Sequence, residues 1–134
     1  MRIRLIAAAT LVIVLVCLGC GSVTDPSKNT TETFTGTVAP GGRSDKIHSF
    51  NVPNGGEFTV KVTSMTPTFN SFFGTFLGII QGNDCGLFQQ NQFSTVGAQS
   101  LAGPIFQKGT YCVFLFDVGT MTTTETYTLT VSHP

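Results

Sequence analysis

The sequence predicts an all-β domain, an antiparallel sandwich or barrel of about seven or eight short strands. Three observations predict it. Apolar residues recur at every second position in short runs, the period of a half-buried strand. Clusters of Gly, Pro and Asn separate those runs at regular intervals. No segment carries the 3.6-residue apolar spacing and strong helix formers of a stable helix.

The runs follow in order from Glu32. Phe34, Gly36 and Val38 share one face of the first, with Thr33, Thr35 and Thr37 on the other, and Pro40-Gly41-Gly42 turns the chain. His48, Phe50 and Val52 alternate with Ile47, Ser49 and Asn51, before the turn residues Pro53-Asn54-Gly55-Gly56. Phe58, Val60 and Val62 alternate with Thr59, Lys61 and Thr63. Phe72–Gln81 is apolar on both faces, and Gly74 and Gly78 favour a strand over a buried helix there. Leu87–Gly103, rich in Gln, Asn and Ser, is the least regular part and predicts one or two short strands and a long loop. In Gly109–Val118, Tyr111, Val113 and Leu115 oppose Cys112, Phe114 and Phe116. Tyr127, Leu129 and Val131 alternate with threonines in the last strand.

Ahead of this domain lie two segments of different character. Arg2 and Arg4 precede an apolar run from Leu5 to Leu18 broken only by Thr10. Its length suits the roughly 7–15 apolar residues of a signal peptide better than the roughly 20 of a membrane span. An uncleaved anchor through Gly21 is the competing reading. Val16-Cys17-Leu18-Gly19-Cys20-Gly21 resembles the end of a bacterial lipoprotein signal peptide. The resemblance implies cleavage after Gly19, lipidation of Cys20 and anchoring in a membrane through two acyl chains. Gly21 stands where aspartate would signal inner-membrane retention, so the implied destination is the outer membrane. The expected organisation is therefore a leader over 1–19, a lipidated cysteine and polar tether over 20–31, and the β domain over 32–134.

On this reading Cys17 leaves with the leader and Cys20 takes lipid. Cys85 and Cys112 remain in an oxidising compartment, so a disulfide between them is expected. A redox or metal role for the pair lacks support, because Cys85 and Cys112 are not spaced as a CxxC and no histidine lies nearby to complete a ligand set.

Composition narrows the function classes. The seven basic residues include Arg2 and Arg4, so five basic residues face seven acidic ones beyond the leader. There is no basic patch, which argues against a nucleic-acid partner. Only 10% of residues are charged, so Thr, Ser, Asn, Gln and Gly must supply the polar surface.

Thr33–Gly42, His48–Val52 and Gly56–Val60, with Gly109-Thr110-Tyr111-Cys112-Val113 and Tyr127-Thr128-Leu129-Thr130-Val131, resemble the bacterial pre-peptidase C-terminal domain over about 32–134. The resemblance implies a jelly-roll-like β-sandwich without catalytic activity. It also implies roles in secretion, localisation or polymer binding. In some relatives clustered acids hold calcium. Here the acids are scattered, a calcium reading would rest on Asp45 and Glu57, and no cofactor or metal is expected.

His48 and His133 are the two histidines, and neither lies in a nucleophile or zinc motif, so no catalytic residue is assigned. The chain holds 12 Phe and no Trp. If Phe73, Leu77, Tyr111, Val113 and Leu115 face the core, Phe72, Phe76, Phe114 and Phe116 point outward as a candidate contact surface. The alternative is a loop from Leu87–Gly103, pinned by the Cys85–Cys112 bridge, folded over them. The functional expectation is a non-enzymatic, lipid-anchored envelope module binding a protein or glycan partner. The alternatives are a self-assembling envelope component, associating through Phe72, Phe76, Phe114 and Phe116, and an accessory to a secreted peptidase.

Overall fold

A computed structural model describes residues 25–134. The expected leader, Cys17, Cys20 and the first part of the expected tether lie outside the described residues. A short 3-10 turn, Pro26–Lys28, precedes eight strands: β1 Thr30–Val38, β2 His48–Val52, β3 Gly56–Thr66, β4 Phe73–Gln81, β5 Asp84–Ser94, β6 Gln99–Ile105, β7 Gly109–Phe116 and β8 Glu125–His133. β1 thus begins at Thr30, two residues ahead of the expected boundary, because Thr30 and Thr31 pair with His133 and Ser132.

The strands form two four-stranded sheets, ordered β1-β8-β3-β6 and β2-β7-β4-β5. Every pairing within them is antiparallel. The chain changes sheet at each connection except the β4–β5 hairpin, the winding of an eight-stranded jelly roll.

One buried face per strand fixes the register. Tyr127, Leu129 and Val131 are fully buried along β8, and Phe58, Val60 and Val62 along β3. Burying each such side chain stabilises by roughly 1.5–3 kcal/mol. A one-residue slip of β8 would exchange those three for Thr126, Thr128 and Thr130, so the pairing has one favourable register. Phe50 and Val52, Phe73 and Leu77, Leu101 and Ile105, and Tyr111, Val113 and Leu115 complete the core between the sheets.

The region expected to hold a long loop does not. Leu87–Gly103 forms most of β5 and much of β6, joined by the short connection Thr95–Ala98. β5 is an edge strand interrupted by two register shifts against β4, opposite Phe73/Thr75 and Leu77/Gly78. Such bulges erase the period-2 signal. Its amides have structural work: Gln89 Nε2 donates to the Ala102 carbonyl at 3.4 Å, and Asn91 Nδ2 to the Ser100 carbonyl at 2.9 Å. Glutamine and asparagine here close the gap between the two sheets where a loop was expected.

The Cys85–Cys112 disulfide is present. It lies on the outer face of the β2-β7-β4-β5 sheet, across Gly78. A Cβ at Gly78 would come within 2.7 Å of Cys85 Sγ and 2.4 Å of the Gly86 carbonyl oxygen. Only glycine leaves room for the bridge to pass.

Candidate functional site

The outer face of that sheet carries the phenylalanines expected to point outward. They do so, but not as one open stripe. Phe76 and Phe114 are opposed in register and stack with ring centroids 4.4 Å apart. The Arg43 guanidinium lies 5.9 Å over the Phe114 ring, a cation–π contact. Phe116 lies across Gly74, where an added Cβ would meet its ring at 2.2 Å. Phe114 is only 9% exposed as a result. Side chains of the sheet itself, with Arg43, provide this cover, and no loop from Leu87–Gly103 is involved.

Phe72 behaves differently. It stands just before β4, 48% exposed, and meets Phe93 of β5, itself 73% exposed, edge to face at 5.8 Å. Phe93 is not among the residues expected at a contact surface. It falls beside the second bulge of β5, where alternation gives no guide to its face.

In the chain these two residues stand next to the lining of a cleft. The end of β3, the β3–β4 connection and the β5–β6 connection enclose about 470 Å³, lined by Thr63, Ser64, Met65, Thr68, Phe69, Asn70, Ser71, Thr95 and Val96. Phe72 follows Ser71, and Phe93 lies two residues before Thr95. Phe69 packs against the core and tilts against Phe73 at 6.3 Å. The Gly97 N–H donates to the Val62 carbonyl at 2.8 Å, holding the β5–β6 connection on β3. Thr120 Oγ1 donates to the Phe72 carbonyl at 2.5 Å and ties down the other connection. The lining offers hydroxyl and carboxamide groups on an apolar floor and no charge. That chemistry suits a neutral polar ligand with an apolar side.

Ser44, Asp45, His48 and His133 lie outside this cleft and are engaged within the fold. Ser44 Oγ donates to the Lys46 carbonyl at 2.8 Å and accepts from the Leu115 N–H at 3.3 Å. Asp45 Oδ1 accepts from the Thr37 N–H at 2.7 Å. His48 Nε2 lies 2.9 Å from the Tyr127 hydroxyl, and its ring stacks on Phe34 at 4.9 Å. Gly36 makes room for this arrangement, since a Cβ there would lie 2.6 Å from the Tyr127 hydroxyl oxygen. His133 is 3% exposed, with Nε2 2.9 Å from Glu32 Oε1 and its ring 4.9 Å from Phe50. Among the described residues, no group of three or more His, Cys, Asp or Glu is placed to hold a metal ion.

Burial lowers the His48 pKa from its ordinary 6.5, and Lys46 lowers it further while Asp45 opposes. The fold therefore favours neutral His48. Its contribution to stability is full above pH 6.5 and is lost as the pH falls through the folded value. We expect the thermal midpoint of wild type to drop between pH 7 and pH 5. His48→Gln, which can still reach the Tyr127 hydroxyl, should show a shallower decline in the same scans. Equal slopes would remove His48 as the cause.

Comparison with protein-family models and with curated proteins finds no match.

Proposed function

We propose that this chain is a non-enzymatic, lipid-anchored cell-envelope module, held on the outer membrane through Cys20. In this reading it binds an extracellular or periplasmic partner, protein or glycan, at the Thr63–Val96 cleft. The observation that carries the reading is the uncharged cleft, with the exposed Phe72–Phe93 pair next to its lining residues in the chain. Aromatic rings beside convergent polar groups are the usual make-up of a binding site. The engagement of Ser44, Asp45, His48 and His133 in the fold's own hydrogen bonds supports the non-enzymatic part.

The test uses the full chain in its native cells, carrying a photo-crosslinking residue at Phe93. A specific protein or glycan adduct is expected from the anchored protein. Cys20→Ser should lower its yield by releasing the protein from the membrane. With the crosslinker moved to Thr95, Phe93→Ser and Phe72→Ser should each lower the yield about tenfold, as loss of roughly 1.4 kcal/mol does. Yields indifferent to both phenylalanines, or a hydrolytic activity abolished by His48→Ala, would overturn the reading.

A second reading, a self-associating envelope component, draws on a different part of the molecule, the free edge of β1.

A further inference from the structure

A jelly roll leaves four sheet edges, and each is a template for another strand unless it is blunted. Three of the four are blunted here. β2 is only 5 residues long. β5 carries two bulges. β6 contains Pro104, and its Ser100 and Ala102 carbonyls already accept from Asn91 and Gln89.

Among the described residues, β1 is covered only at its far end, where Arg43–Asp45 occupies the edge at Thr37 and Val38. It runs for 9 residues in unbroken register with β8, with no proline, lysine or arginine. Its single charged side chain, Glu32, is turned to His133. The direction of its backbone groups follows from Thr37, whose N–H donates to Asp45 Oδ1 and whose carbonyl accepts from the Asp45 N–H. Both groups of Thr37 thus point away from β8. Backbone direction repeats every second residue, so the N–H and C=O of Thr31, Thr33 and Thr35 also face outward. Among the described residues, no hydrogen bond outside the β1–β8 ladder reaches them. They form a row of three donors and three acceptors in extended geometry, the pattern that the main chain of an added strand matches.

We infer that β1 pairs with β1 of a second copy of this chain, antiparallel about a two-fold axis at Thr33. The sequence of the strand is self-complementary in that register. Thr33 opposes Thr33 of the second copy, and Thr31 opposes Thr35 on both sides of the axis. Threonine pairs are favourable cross-strand partners. Glu32 opposes Phe34, so no like charges face each other. The segment Arg43–Asp45 occupies the edge at Thr37 and Val38, which limits the pairing to the threonine-rich part and sets its register. The two β1-β8-β3-β6 sheets then join into one continuous sheet, a closed interface of identical patches. This inference is independent of the cleft and its partner.

The test is sedimentation and amide exchange of the full chain in detergent, over a range of protein concentration. The expected result is a dimer at high concentration, with the Thr31, Thr33 and Thr35 amides exchanging more slowly as it forms. Thr33→Pro removes one outward N–H and leaves the β1–β8 ladder intact, because proline is tolerated at a strand edge. It should raise the dimer dissociation constant at least tenfold. Thr33→Lys, which sets like charges opposite each other at the axis, should do the same and serves if the proline variant does not fold. A monomer at every concentration overturns the inference. So does a dimer in which those amides exchange as in the monomer, or one indifferent to both substitutions. Slowing of those amides only when a different protein is added would assign the edge to that protein instead and also overturn it.

Discussion

Replacing Cys85 and Cys112 together with alanine should destabilise the domain by about 3–4 kcal/mol, the chain-entropy value for a loop of this size. The bridge closes 27 residues and brings the two Cα atoms to 6.0 Å. Its place in the sheet makes the effect local as well as global. Within its sheet β5 pairs with β4 alone, and the disulfide ties it past β4 to β7. For a domain of this size the thermal midpoint should fall by roughly 12 °C or more. Amides near the β4–β5 turn should lose exchange protection first. Wild type in reductant should reproduce the double variant, and a midpoint unchanged by reductant would sink the argument. Gly78→Ala tests the same site from below. Its methyl group must displace both Cys85 Sγ and the Gly86 carbonyl, and such overpacking costs about 1–3 kcal/mol. In the alanine background one of the two obstructions is gone, so the penalty of Gly78→Ala should shrink.

What the sequence discloses about this fold depends on how each strand is buried. β3, β7 and β8 have one face in the core, so their alternation is written in the residues: Phe58, Val60, Val62 and Tyr127, Leu129, Val131 all lie where period two places them. β4 is legible for another reason. Gly74 and Gly78 break any helix and are the positions where Phe116 and the disulfide need room. β5 is illegible because two bulges shift its side chains between faces and because its polar residues satisfy the edge of β6. The burial of His133 has no local signal, since its partner Glu32 lies 101 residues away in the chain. The cleft has no sequence signature at all. Its walls come from connections distant in the chain, and its lining residue types are those of any exported surface. Phe72 is the one ring of the expected contact surface that adjoins it, and its partner Phe93 escapes notice in the irregular strand.

Asp117→Ala should have the second large effect, about 2–3 kcal/mol, the range for hydrogen bonds to a charged group. Four backbone N–H groups converge on this carboxylate. Gly119, Thr120 and Met121 donate to Oδ1 at 2.9, 2.9 and 3.1 Å, and Gly41 donates to Oδ2 at 2.7 Å. The Asp117 N–H in turn donates to the Gly42 carbonyl at 2.8 Å. One side chain therefore shapes the β7–β8 connection and fastens it to the β1–β2 connection. Gly41 and Gly119 have φ of 70° and 90°, a backbone region that glycine adopts without strain. The same turn carries Met121, 6% exposed, into the core. Burial raises the Asp117 pKa, but the four N–H donors outweigh it and hold the carboxyl below its ordinary 3.8. A carboxylate whose folded pKa is depressed stabilises the fold above its unfolded pKa. That contribution disappears as the pH falls through the folded value. Urea midpoints of wild type and Asp117→Ala should thus differ most at pH 7 and converge as the pH drops below about 3.8. Asp117→Asn keeps one acceptor oxygen and should fall between them at pH 7. A gap between wild type and Asp117→Ala that stayed the same from pH 7 into the acid range would show that the loss comes from packing around Met121. The charge held by the four N–H groups would then not be its source.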